Sequence, residues 1–360
     1  MNTQKRGGAL KIAGLVLLAA AAVLFSLVSL AAVQFLFSDT FRRTAPREYT
    51  ASLRYGDVAD QYGREAVSFL SGKNRLRGHL YGGGNPAGLV VISHGLGGGE
   101  ESYLSEALYF VDHGYQVLCY SNTGCWDSEG KNCVGLSQSL LDLDAALTWA
   151  EGESRFDGLP VLLYGHSWGG YAAAAVLHFD HRVTAAASVA GFNDPLPMIL
   201  SWGEDMMGPL VYAEYPFIWL NQTLTFGDTL SLTAVDAINA AGTPVLLLHG
   251  SADDTVGFDT VSIMAARDQI TNPNVEYIVR SREGQNGHNS LFQSPDSIAY
   301  REEINRAYEA LYAQYGGEIP DDVKAAFYAP IDKRRASAVD GEFMDSVLDF
   351  YQRASSMPSD

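Results

Sequence analysis

The stretch Val161-Leu162-Leu163-Tyr164-Gly165-His166-Ser167-Trp168-Gly169-Gly170-Tyr171-Ala172-Ala173-Ala174-Ala175 decides the architecture. Four apolar residues, Val161–Tyr164, have the length of a short buried strand, and the alanine-rich run Tyr171–Leu177 reads as a helix. Between them lies a tight turn carrying Ser167, flanked by Gly165 and Gly169. A serine forced onto such a turn projects its hydroxyl above the sheet, and the glycines leave room for crowded backbone. The helix that follows aims its free N-terminal amides at any oxyanion formed there.

Outward from this turn, strands and helices alternate. Ala66–Leu70 and Arg77–Tyr81 read as a strand pair around Ser71-Gly72-Lys73-Asn74. Apolar runs follow at Leu89–Ser93, Gln116–Tyr120, Thr184–Ala190, Val245–Leu248 and Val275–Val279. Helical patterns separate them at Glu101–Asp112, Leu136–Ala150, Ser167–Phe179 and Thr260–Ile270. This rhythm predicts an α/β fold with a mostly parallel central sheet covered on both faces. Asn193 to Thr243 breaks the rhythm and is too long for an ordinary connection, so residues 194–242 are expected to be an inserted helical subdomain.

A serine nucleophile needs a base. Among eight histidines, His94 and His166 sit within glycine motifs, His249 ends an apolar strand and His113 suits a helix C-terminus. His288 lies in the glycine-rich loop Glu283–Asn289 beyond the last candidate strand, where catalytic side chains are usually mounted. The imidazole in turn needs a carboxylate to hold its tautomer. Asp253 and Asp254 both follow the strand ending at His249, in the expected order serine, acid, histidine. Spacing alone does not separate them. For the oxyanion, the candidate donors are the amides of Trp168, directly after the serine, and Leu96, in the turn His94-Gly95-Leu96-Gly97-Gly98-Gly99. That glycine run lacks the endings that bind nucleotides.

At this point the chain resembles the α/β-hydrolase superfamily, in its serine esterase, lysophospholipase and serine aminopeptidase-like branch, from about Gly88 to His288. His94-Gly95 matches the oxyanion turn, and Asn122-Thr123-Gly124…Ser128-Glu129-Gly130 is similar to the glycine-bearing loop after the fourth strand. Gly165–Gly169 matches the nucleophile elbow, His249-Gly250-Ser251-Ala252-Asp253-Asp254-Thr255-Val256 fits HGxxDxxV, and Gly287-His288 fits the terminal GH. The resemblance favours Asp253 over Asp254. It implies a hydrolase domain over 63–360, a lid at 194–242, and no cofactor or metal. It also implies a final helix near Asp340–Arg353, which leaves 296–338 as an extra helical segment. An ester hydrolase is expected, with an aminopeptidase-like amidase or an acyltransferase as alternatives on the same residues.

The lid stretch carries Trp202, Met206, Tyr212, Phe217 and Trp219, which would suit an apolar acyl group. It holds Glu204, Asp205, Glu214, Asp228 and Asp236 but no Lys, Arg or His, so an anionic substrate would find no partner there. A small-molecule or lipid-like neutral ester fits, and so does a substrate with a free amine. Cys125 and Cys133 flank a short polar loop and are a possible disulfide in an oxidising compartment.

The 360-residue chain is 47% hydrophobic, ample for a core, with a net charge of −18. Six of its 24 basic residues and one of its 42 acidic residues precede Glu48, leaving 18 against 41 and a net of −23. So acidic a body excludes nucleic acid as a partner. Ile12–Phe37 is uncharged over 26 residues, about 39 Å as a helix, enough to cross a bilayer. It reads as a signal-anchor over 12–37, preceded by a basic segment at 1–11 and followed by a polar stalk at 38–62. Cleavage near Ala31-Ala32 is the alternative. Lys5, Arg6 and Lys11 favour an inside N-terminus and an extracytoplasmic body, with Arg42, Arg43 and Arg47 pulling the other way.

Overall fold

The computed structural model describes residues 2–357. Its elements in chain order are α1 (Asn2–Thr40), β1 (Arg64–Ser71), β2 (Asn74–Tyr81), β3 (Leu89–Ser93), α2 (Leu104–Asp112), β4 (Gln116–Tyr120) and α3 (Gln138–Glu151). Then come β5 (Val161–His166), α4 (Trp168–Ala175), β6 (Ala185–Val189), α5 (Pro195–Met207), α6 (Val211–Phe226), α7 (Ala234–Ala241), β7 (Val245–Gly250) and β8 (Val275–Arg280). The chain closes with α8 (Pro295–Gln314), α9 (Asp321–Tyr328), α10 (Lys333–Ala336) and α11 (Gly341–Ser355).

Among the described residues eight strands form one sheet in the order β1-β2-β4-β3-β5-β6-β7-β8. β1 pairs antiparallel with β2 and β2 with β4; every later pairing is parallel. Strand alternation sends side chains to opposite faces, and the sheet divides its core accordingly. Leu89, Val91, Leu163, Val245 and Leu247 pack into a cluster with α3, α4 and α7. Val90, Ile92, Leu162, Leu246 and Leu248 pack into a second one with α2 and α11. β3, β4 and β6 are buried throughout, the condition that makes their sequences read as continuous apolar runs. α11 presents Phe343, Met344, Val347, Leu348 and Tyr351 to this core, and Asp340 caps its first turn by accepting from Phe343 N.

Three expectations need correction. The helix read over Thr260–Ile270 is replaced by a 3-10 segment at Met264–Gln269. Its first residues are committed elsewhere: Ile263 N donates to Gly191 O, and Asn193 N to Val261 O. With those groups paired across the chain, an α-helix over the same residues has no free register.

The insertion is also shorter than expected. α7, its last helix, packs on α4, with Ala234, Val235, Ala237 and Ile238 buried in the core, and serves as the crossover between β6 and β7. The rest of the insertion is α5 and α6, whose Met198, Ile199, Val211 and Ile218 are still buried in the core.

Finally, residues 38–62 are not a free stalk. Phe41, Leu53 and Val58 are buried in the body's core clusters. The Arg43 guanidinium donates to the carbonyls of Gly130, Trp126 and Ser128 at 2.6–2.9 Å, and Thr44 bridges Cys125. The extra segment α8–α10 packs on the same stretch: Leu53 N donates to Ser337 Oγ, Lys333 pairs with Asp57 at 3.0 Å, and Tyr49 stacks on Tyr328. The periodicity of 38–62 is too irregular to announce burial, because each apolar side chain docks singly.

Candidate active site

Ser167 sits between β5 and α4 with φ 57° and ψ −115°, a conformation most L-residues avoid. The two glycines around it are required by contact. A Cβ on Gly165 would lie 2.0 Å from Gly169 O, and one on Gly169 would lie 1.9 Å from Ser93 O. Close packing of α4 against β3 and β5 thus holds the elbow in its strained shape.

Ser167 Oγ donates to His288 Nε2 at 2.9 Å, and His288 Nδ1–H donates to Asp253 Oδ2 at 2.8 Å. The sequence places these three residues on loops after β5, β7 and β8; the parallel sheet puts those loops at one edge. Asp253 also accepts from the amides of Thr255 and Val256 on Oδ1, whereas Asp254 makes no contact with the histidine. Burial would raise the Asp253 pKa, but hydrogen bonds from His249, His288 and the Val256 amide outweigh it and hold the carboxyl well below the usual range.

Two histidines that sequence reasoning set aside belong to this cluster. His249 Nε2–H lies 3.1 Å from Asp253 Oδ2 and 2.9 Å from Val256 O, a second donor on the acid. Its four-residue spacing from Asp253 was the available signal. His166 Nε2–H donates to the backbone carbonyl of His288 at 2.9 Å. Its Nδ1 accepts from the Tyr103 hydroxyl at 2.6 Å, and that hydroxyl accepts from Gly95 N at 3.2 Å. Burial first, and then the neighbouring His288, lower the His166 pKa to about 3, so it is neutral and its tautomer is fixed by these partners. Tyr103 carried no sequence signal, because only folding brings it to the elbow.

The turn at His94–Gly99 is braced from inside. Gly95 O accepts from Gly98 N and from His94 Nδ1–H, while His94 Nε2 accepts from Asn122 N. Gly95 C=O and Leu96 N–H share one trans peptide plane, so fixing the carbonyl inward turns the Leu96 amide outward. Trp168 is buried, with its indole donating to Leu136 O at 2.6 Å. Its amide is the first of α4.

The lid residues divide. Trp202 and Phe217 pack partly buried against the core, but Met206, Tyr212 and Trp219 are 69%, 56% and 47% exposed. Met206 instead lines a pocket against α1, and Tyr212 and Trp219 lie on the exposed surface of α6. Cys125 and Cys133 are two buried thiols with Sγ atoms 3.4 Å apart, adjacent but not bonded.

Two solved crystal forms of the esterase Pf2001 from Pyrococcus furiosus superpose with a TM-score of 0.53 each, at 18% and 19% identity. They cover 75% and 76% of this chain and 98% and 97% of theirs. The chain has the α/β-hydrolase fold. The family described as serine aminopeptidase, S33, matches this α/β-hydrolase chain over residues 84–226. The quorum-quenching protein AidA of Acinetobacter baumannii (strain MDR-ZJ06) is 32% identical over 109 residues, 29% of this chain. That match spans 36% of AidA, about a third of the relative's length. The matched span 84–226 includes the turn that carries Ser167, while Asp253 and His288 lie beyond it; the N-terminal α1 is an apolar helix, long enough over Lys11–Thr40 to cross a membrane.

Proposed function

We propose that the chain is a membrane-anchored serine hydrolase that cleaves neutral carboxylic esters through an acyl-enzyme. The observation that carries this reading is the continuous hydrogen-bonded line from Ser167 through His288 to Asp253. In the proposed reaction Ser167 Oγ attacks the ester carbonyl as its proton passes to His288 Nε2. Asp253 holds the resulting imidazolium, and the amides of Leu96 and Trp168 receive the oxyanion. Collapse breaks the carbon–oxygen bond, and His288 returns the proton to the departing alcohol. Water then repeats the sequence with the acyl-enzyme, activated by the same imidazole.

Hydrolysis of p-nitrophenyl esters of increasing acyl length by the full chain, alongside aminoacyl p-nitroanilides, tests the proposal. Ester turnover that disappears with Ser167→Ala is the expected result; turnover indifferent to that change refutes the mechanism. A second reading, an aminopeptidase-like amidase, is favoured by the serine aminopeptidase match and by the acidic lid, which would welcome a free amine. Preferential cleavage of the anilides selects it.

The proposed anchor is α1, with the body outside the cytoplasm. All three native cysteines are buried, so a reporter is needed at an exposed site such as Ser356. Labelling of Ser356→Cys by an impermeant maleimide in intact cells is expected, and protection until lysis would reverse the topology.

A further inference from the structure

The lid does not stand alone: α6 packs along the apolar helix α1. Phe25 meets Phe217 edge-on with ring centroids 5.8 Å apart. Ser29 Oγ donates to Glu214 Oε1 at 3.0 Å, and Asn221 Nδ2 donates to Gln34 Oε1 at 3.2 Å. The side-chain contacts run along α1 from Phe25 to Gln34, and the pocket they adjoin reaches Thr40, about 22 Å of helix in all. Residues 25–37 of that stretch lie inside the uncharged run, roughly 18 Å against a hydrocarbon half-thickness of about 15 Å. α6 therefore lies at the depth of one leaflet whenever α1 crosses a bilayer.

The composition of α6 agrees with that depth. Its sixteen residues contain a single charge, Glu214, which α1 partners through Ser29. Its remaining face exposes Tyr212, Tyr215, Trp219, Leu220 and Leu224, with Leu224 at 79%. In water this is a costly surface; continuous with an apolar spanning helix, it is the surface of an interfacial helix.

Between α1 and the lid lies a cavity of about 150 Å³. Its walls are Val33 and Leu36 of α1 with Ile199, Trp202, Met206 and Val211 of the lid, and only Thr40 and Glu214 are polar. A cavity of this size takes up benzene, so about six carbons of an acyl chain would fill it. Ile199 and Val211 are also part of the large core cluster on the α4 side of the sheet, so the inner wall of the cavity is continuous with the body's core.

We propose that α1 and the α5–α6 hairpin together form an acyl-chain site filled sideways from the bilayer, which makes a long-chain, membrane-resident ester the ligand class of this chain. The proposal rests on the serine-hydrolase reading for the cleavage that follows binding, but not for occupancy itself.

The test uses the full chain carrying Ser167→Ala in phosphatidylcholine vesicles doped with a phosphatidylcholine bearing a mid-chain diazirine. After irradiation, crosslinks on the cavity walls Ile199, Trp202 and Val211 are expected. Filling the cavity from α1 with Ala32→Trp, and independently with Leu36→Trp, should cut those crosslinks at least fivefold. Leu18→Trp, elsewhere on α1, should not. Crosslinks confined to the exposed Leu210 and Leu224, or wall crosslinks insensitive to both cavity-filling changes, overturn the proposal. With Ser167 restored, the ratio of p-nitrophenyl palmitate to p-nitrophenyl acetate turnover should fall about tenfold in the filled variants, and an unchanged ratio also overturns it. Wall crosslinks in a protein that cleaves neither ester would refute the hydrolase reading and leave the acyl site standing.

Discussion

Replacing Tyr103 by Phe removes one oxygen from the cluster behind the elbow and separates a positioning network from mere packing. The phenol oxygen joins three loops: it accepts from Gly95 N in the oxyanion turn and donates to His166 Nδ1, whose opposite nitrogen holds the His288 carbonyl. Without it, a buried amide and a buried imidazole nitrogen lose their partners at about 1–3 kcal/mol each. The variant should thus lose ~2–6 kcal/mol in denaturant unfolding of the full chain in detergent. The freed imidazole can also shift its proton to Nδ1, releasing the carbonyl of His288. Loss of one such bond in the reacting geometry, about 1.4 kcal/mol, lowers kcat roughly tenfold, with KM changed less. His166 titrates near pH 3, so the deficit should be constant from pH 5 to 8. Stability lost with kcat within twofold of the parent would make Tyr103 a packing residue; neither quantity changing would refute the network.

Asp253→Asn keeps an acceptor for the Thr255 and Val256 amides but not the charge, so turnover of p-nitrophenyl butyrate should fall on the order of 10⁴-fold with the fold retained. Gly169→Ala places a methyl 1.9 Å from Ser93 O; loss of a cooperative thermal transition is expected, because backbone cannot yield there. Burial raises the Glu106 carboxyl to about 7 from 4.5, opposed by Arg301. The folded state keeps its proton where the unfolded chain releases it, so the stability this group confers is complete below pH 4.5 and lost as pH rises through 7. That amounts to about 3 kcal/mol. Glu106→Gln should flatten this part of the urea-midpoint profile, leaving the similar slope contributed by Glu100, also raised to about 7. On the acid side, depression of His166 to about 3 means that stability falls as pH drops from 6.5 toward 3.

Much of this was legible in the sequence because parallel strands buried on both faces leave little freedom. Val161–Tyr164, Leu89–Ser93 and Val245–Leu248 could be read as strands from composition alone, and the glycines at 165 and 169 announced the elbow. Ser167 and His288, which the structure joins by a hydrogen bond, were within reach because each sits in a local pattern, whereas only the family resemblance separated Asp253 from Asp254. Tyr103 and His166 were not, since their roles exist only where two loops meet across the sheet edge. The error at Thr260–Ile270 has the same origin: helical periodicity is a local quantity, and long-range pairing with 191–193 overrode it. Tyr49 and Leu53 were missed for the opposite reason, being isolated side chains in a polar stretch whose partners, Tyr328 and Ser337, lie almost three hundred residues away.

The docking of residues 41–58 onto the body has a kinetic consequence. A catalytic domain on a slack tether tumbles, samples a shell of solution and meets its substrate at a rate set by bulk concentration. Here Phe41 is buried and Arg43 is tied to the carbonyls of loop 126–130, directly after α1 ends, which removes that slack. With α1 in a bilayer, the body rides at fixed height and tilt, and encounter becomes a two-dimensional search within the plane of the membrane. Turnover would then scale with the surface density of substrate, in mole fraction of lipid, and diluting the vesicles at constant composition would leave it unchanged.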